Sequence, residues 1–151
     1  MRHRHVPDDG RHLDRRKRSD ENPLALWLFL GALNGLVAVA AGAYGWHSLS
    51  GDDGARKMFE IAVQYQMVHA LALVAVAWLA TRFEGRWRLP VHLAGAGFTL
   101  GIILFSGTLY AFGMTGSVPV EGAAPVGGFL FMIGWGSLMW IAGASRLGAR
   151  S

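Results

Sequence analysis

The sequence predicts an all-α polytopic membrane protein, a bundle of four transmembrane helices, and three features of the 151-residue chain predict it. Hydrophobic residues make up 52% and charged residues 16%, against about a quarter charged in an average soluble domain. The charges are also unevenly placed. No Asp, Glu, Lys or Arg lies between Glu21 and Asp52, Glu60 and Arg82, Arg88 and Glu121, or Glu121 and Arg146. The shortest of these gaps, Ile61 to Thr81, holds 21 residues, and about 20 apolar residues rising about 1.5 Å each match a hydrocarbon core about 30 Å thick. Finally, only single Asn, Gln, His, Ser, Thr and Tyr residues interrupt the gaps. None therefore carries the polar stripe that each helix of a water-soluble bundle needs.

Taken in order, residues 1–23 mix Arg, Lys, His and Asp without periodicity, which predicts a disordered basic cytoplasmic tail. Its His3, His5 and His12 read as solvated side chains rather than metal ligands. The run Arg15-Arg16-Lys17-Arg18 reads as a cytoplasmic anchor, because the apolar stretch behind it is too long for a signal peptide. The transmembrane domain is expected over residues 24–145. Its first span covers about 24–46, with Asn22-Pro23 as the helix start, since proline suits a first turn. Gly31, Gly35, Ala38, Gly42 and Gly45 follow steps of three and four and fall near one face. Small residues let backbones approach in lipid, so this helix is expected to pack inside the bundle.

Asp52 or Asp53 then suits the cap of a helix that begins outside the membrane and runs into the second span, about 61–80. The next connector sets Arg82, Arg86 and Arg88 around Trp87, the pattern of a cytoplasmic interface belt. On a 100° wheel the third span, about 90–112, puts Gly97, Gly101 and Thr108 on one face and Thr99, Ser106 and Tyr110 on another, both expected to be buried. A loop with Gly116, Pro119, Glu121 and Gly122 leads to the fourth span, about 124–144, which carries Gly127, Gly128, Gly134 and Gly136 and leaves a short tail at 146–151.

Twelve of the 14 Lys and Arg fall in the two tails and the second connector, and only Arg56 and Lys57 fall elsewhere. The excess of positive charge marks the cytoplasmic side, which puts both termini inside the plasma (inner) membrane. The same placement removes the reason to read a pI near 10.1 as nucleic-acid binding, because topology alone demands basic residues there. Cysteine is absent, so disulfides, thiolate metal sites and lipidation through cysteine do not arise.

Four segments carry a resemblance: LGALNGLVAVAAGAYGWHSL (30–49), FEIAVQYQMVHALAL (59–73), GIILFSGTLYAF (101–112) and APVGGFLFMIGWGSL (124–138). In order and spacing they resemble the motifs of domain-of-unknown-function family 423, which includes relatives of transmembrane protein 256. The Tyr-Gln-x-x-His and Pro-x-Gly-Gly elements are the most specific. The resemblance covers about residues 24–145 and implies a small four-span inner-membrane protein of unestablished activity. Trp46 and Val68 depart from it, standing where a small residue and an aromatic are usual.

Within the spans the polar residues are the candidate site. Tyr65 and His69 lie four apart on one helix face with Gln66 at its edge, and His69 sits about 12 Å into the span at about 1.5 Å per residue. An ionisable residue at that depth needs a partner. The reading favoured here is a neutral His69 acting as interhelical glue through Asn34, Ser106, Tyr110 or a backbone carbonyl. Glu60 and Gln64 form a second pair, also four apart, on the other side of the helix. Haem held by His47 and His69 is the weaker ligand reading, since the two differ in depth by about 10 Å at the same rise per residue. His92, at the cytoplasmic interface, reads as solvated. No metal or cofactor is expected.

Three classes of function stay open at this point. A partner or assembly protein, meeting another membrane protein or a second copy through small-residue faces, is preferred. A small transporter, channel or proton relay using Tyr65, Gln66 and His69 is next. An intramembrane enzyme is least favoured, because the spans contain no paired carboxylates, no HExxH-like element and no nucleophile with a nearby base.

Overall fold

A computed structural model describes residues 11–148 except Ser50, Asp52 and Glu84, with the side chains of 11–23 and 146–148 also set aside. The described backbone is helical apart from short connectors. Helix α1 covers Arg11–Ser48 and α2 Asp53–Ala80. A single 3-10 turn, Gly85–Trp87, leads into α3, Arg88–Gly101; a π-helical segment, Ile102–Ser106, joins this to α4, Gly107–Thr115. Helix α5 covers Ala123–Gly148. Four stretches are long and apolar enough to cross a membrane, at Leu24–Ser48, Asp53–Ala80, Gly85–Thr115 and Ala123–Ser145, one for each charge-free gap.

The helix ends differ from the sequence-based expectations. The first helix does not start at Asn22-Pro23 but passes through it from Arg11, so residues 11–23, expected as part of a disordered tail, are helical. Arg, Lys, Leu and Glu are good helix formers, and extending an existing helix avoids the cost of nucleation, which offsets the hydrogen bond missing at Pro23. Residues 1–10, with His3 and His5, lie outside the described residues. Helix α2 begins at Asp53, as the capping argument requires of a helix that starts beyond the membrane; Asp52 is not described. Helix α5 runs four residues past Ala144, to Gly148.

The third span (α3, the π segment and α4) lies between α2 and α5, and α1 packs along the outside of α2. Helices α2 and α5 themselves barely meet, and the contact between α4 and α5 is slight. Aromatic rings seated on glycines make the close approaches. Phe59 of α2 wedges between Gly45 of α1 and Gly113 of α4, Trp27 of α1 lies on Gly95 of α3, and Phe98 of α3 lies on Gly134 of α5. Phe131 covers Gly101, and Phe105 covers Gly127. Lipid tails are as apolar as these side chains, so shape fit rather than exclusion from water holds the helices together. The small residues of α1 do meet α2, with Gly31 against Val74, Gly42 against Val63 and Ala38 fully buried, although Gly35 touches nothing. But the helix stands at the edge of the bundle rather than inside it as expected, with 17% of its span buried, because one face alone has a helix to pack on.

The π segment corrects the 100° wheel. A π turn holds more residues than an α turn, so it rotates the side chains that follow it. It therefore offsets Tyr110 from Thr99, which the wheel put on one face with it; Tyr110 reaches Gln66 of α2, and Ser106 is wholly enclosed with its hydroxyl unpartnered. The span ends at Gly116, whose φ of 71° is the left-handed conformation that glycine adopts without strain and that closes many helices.

Candidate functional site

Helix α2 buries Phe59, Ala62, Gln66, His69, Leu73 and Val76, a spacing of three and four that sets one face against α1 and the third span. That register turns Gln66 and His69 inward, and leaves Tyr65 at the edge with 42% of its surface exposed.

The polar candidates come together as two separate sets rather than one. In the first, the Gln66 side-chain amide donates to the Asn34 side-chain carbonyl at 3.0 Å, and the Tyr110 hydroxyl donates to Gln66 Oε1 at 2.6 Å. Asn34 in turn donates to the Leu30 carbonyl at 2.8 Å. Three spans are thereby tied through one amide that is 3% exposed. Gln66, not His69, is thus the partner of Asn34 and Tyr110, because an amide both donates and accepts and so satisfies two neighbours of opposite demand.

The second set joins α2 to α5. His69 Nδ1 lies 2.7 Å from the Tyr65 carbonyl, and the Trp135 indole N–H points at His69 Nε2 at 3.2 Å. A carbonyl only accepts and an indole N–H only donates, so the partners assign a neutral ring with its proton on Nδ1. The ring also stacks on Phe131 at 3.6 Å between centroids, and Tyr65 lies against Phe105 at 4.5 Å. The backbone carbonyl that His69 meets lies in its own helix rather than across helices as expected, and the tie to another helix comes from Trp135. Asn34, Ser106 and Tyr110 are not partners of His69.

Trp135 was not among the sequence candidates. A lone indole at span depth is itself a donor seeking an acceptor, and that was the available signal. Phe105 was missed for another reason: it lies inside the π segment, where the 100° wheel does not hold, and packs on Tyr65 and Phe131. Between α2 and α5 these rings floor a groove of about 510 Å³ that opens sideways and is walled by Tyr65, His69, Phe129 and Trp135.

The secondary candidates scatter. Glu60 pairs with Arg56 at 3.0 Å instead of with Gln64, and the Arg56 guanidinium lies 4.3 Å over the Trp46 ring. Gln64 is exposed, and so is His47 in the last turn of α1; neither joins the His69 set. His92 is half-buried against Trp27 at 5.8 Å rather than simply solvated. Among the described residues no three His, Asp or Glu side chains cluster as metal ligands would.

A family model described as protein of unknown function (DUF423) matches residues 41–128, from the end of α1 into α5. The chain is 41% identical over 115 residues to the UPF0382 membrane protein YwdK of Bacillus subtilis, an alignment covering 74% of this chain and 91% of that one. It is 40% identical over 114 residues to the UPF0382 membrane protein SAB0533 of Staphylococcus aureus, covering 74% and 90%. A UPF0382 membrane protein of Haemophilus influenzae is 39% identical over 116 residues, covering 76% and 90%. No solved structure matches the chain.

Proposed function

We propose, for a chain that belongs to the DUF423 family of proteins of unknown function, that it acts as a structural or assembly component of the plasma (inner) membrane, with both termini cytoplasmic, and not as an enzyme. The four spans and the membrane proteins it resembles make it an integral membrane protein. Its polar span residues support the reading by serving as ties between helices: Gln66 links three spans, and His69 with Trp135 links the fourth.

One observation carries the assembly role. Most span glycines are filled by a neighbouring helix, but Gly136 and Gly143 of α5, like Gly35, Gly107 and Gly128, have nothing within 4 Å of where a Cβ would stand. Seven residues apart, they share a face with Met132 and Met139, which are 58% and 76% exposed. Small residues admit a second backbone closely, and methionine adapts to varied partners. That face of α5 suits the span of another membrane protein or of a second copy.

The test is purification in mild detergent of the wild type and of Gly136→Leu. The wild type is expected to carry a stoichiometric partner or a second copy, lost in the variant while its unfolding midpoint stays put. A wild-type protein that is a lone homogeneous species, unchanged by Gly136→Leu, overturns the reading.

A further inference from the structure

The gap between α2 and α5 is longer than the groove beside His69. At its outer end a second cavity of about 460 Å³ opens between the start of α2, helix α4 and the 116–122 loop. Met58, Leu109, Phe112 and Val120 line it, and Glu121 is the acidic residue in its wall. Pro125 lines this cavity and also the groove below it, so the two adjoin along the first turn of α5. The third span floors both, through Phe112 and Leu109 above and Phe105 below. From Pro125 to Trp135 the crevice follows ten residues of α5, about 15 Å at about 1.5 Å per residue.

The two ends of this crevice differ in chemistry. The upper end holds an exposed carboxylate, Glu121, with no ion pair within 4 Å among the described residues. The lower end is aromatic and apolar, with Tyr65 beside Phe105 and the indole of Trp135 as its polar edges. Gly128 keeps the passage open, for nothing stands within 4 Å of its absent Cβ. A concave, mainly apolar site with one charged group at its mouth selects a ligand with an apolar body and an opposite charge at one end.

We propose that the α2/α5 crevice binds a single-chain amphiphile with a protonated amine head, the ammonium at Glu121 and the chain running past Pro125 and Gly128 to Trp135. This goes beyond the assembly role, which uses the Gly136 and Gly143 face; the two meet at Met132, which lines the lower groove and borders that face. A neutral chain of equal length fits the walls but gains nothing from the carboxylate. Head-group preference therefore rests on Glu121, and occupancy of the lower groove rests on the space at Gly128.

The experiment uses the full chain in lipid nanodiscs with two probes, dodecylamine and dodecanol, each carrying a diazirine at the chain end, and maps the labelled residues by mass spectrometry. In the wild type the amine is expected to label the segment from Phe129 to Trp135, or Phe105, up to about fivefold more than the alcohol, the range of an exposed ion pair. Glu121→Gln is expected to abolish that preference while leaving alcohol labelling unchanged. Gly128→Leu is expected to remove labelling by both probes, with helix content and gel-filtration profile as the check that it folds. Equal labelling by amine and alcohol in the wild type overturns the proposal, as does a preference that survives Glu121→Gln. Because the readout is the position of a probe, it is independent of whether a protein partner is found.

Discussion

Gln66→Leu is the sharpest perturbation the structure offers. Leucine keeps nearly the volume of the side chain, so packing around a residue 3% exposed changes little. What disappears is the amide that accepts from Tyr110 at 2.6 Å and donates to Asn34 at 3.0 Å. Hydrogen bonds between membrane helices contribute about 0.6 kcal/mol on average and about 1.7 at most, so losing two costs about 1 to 3 kcal/mol. Tyr110→Phe removes one of the two and should cost about half as much. In the double variant the effects should fall short of the sum by the value of the shared bond. Gln64→Leu, two residues earlier on the exposed side of α2, is the internal control and should shift stability by less than about 0.5 kcal/mol. The assay is reversible unfolding in mixed micelles by titration with a denaturing detergent, reading helix content and tryptophan fluorescence together. A Gln66→Leu protein as stable as Gln64→Leu would refute the claim that this amide ties three spans.

Two further outcomes follow from the packing. Gly127→Ala would put a Cβ 2.5 Å from the Phe105 backbone nitrogen, which has no freedom to retreat inside the π segment, and should cost about 1 to 3 kcal/mol in the same assay; Gly128→Ala, with open space beyond it, should be neutral or slightly stabilising. His69→Phe keeps the ring on Phe131 and loses the bonds to Trp135 and to the Tyr65 carbonyl, about 1 kcal/mol together, whereas His69→Ala also opens a hole between Phe98 and Phe131 and should cost about 3 kcal/mol or more; equal costs would contradict the packing role given to the ring.

The sequence and the structure agree best where a single strong force decides. Burying a charge in hydrocarbon is so costly that the gap from Ile61 to Thr81 could only be a span, and α2 covers it. Helix ends were less legible, because beyond the membrane surface the balance at Pro23 is a difference of small propensities. The candidate site was legible as a set of residues but not as a set of pairs. Tyr65, Gln66 and His69 declared themselves by type and depth, yet which of them meets Tyr110 depends on the π segment, whose extra residue no local pattern in Ile102–Ser106 announces. Trp135 was overlooked because an indole in a span passes for bulk hydrophobicity until an acceptor is found beside it.

The central claim is that the chain crosses the bilayer four times, and the absence of cysteine makes it directly measurable. Single cysteines at Gly51, Arg86 and Ser117 sit in the three connectors and can be challenged with a membrane-impermeant maleimide in intact spheroplasts. Gly51→Cys and Ser117→Cys are expected to react from outside, and Arg86→Cys only after the membrane is permeabilised. Labelling of all three from the same side, or recovery of the protein as a monodisperse species in detergent-free buffer, would contradict it.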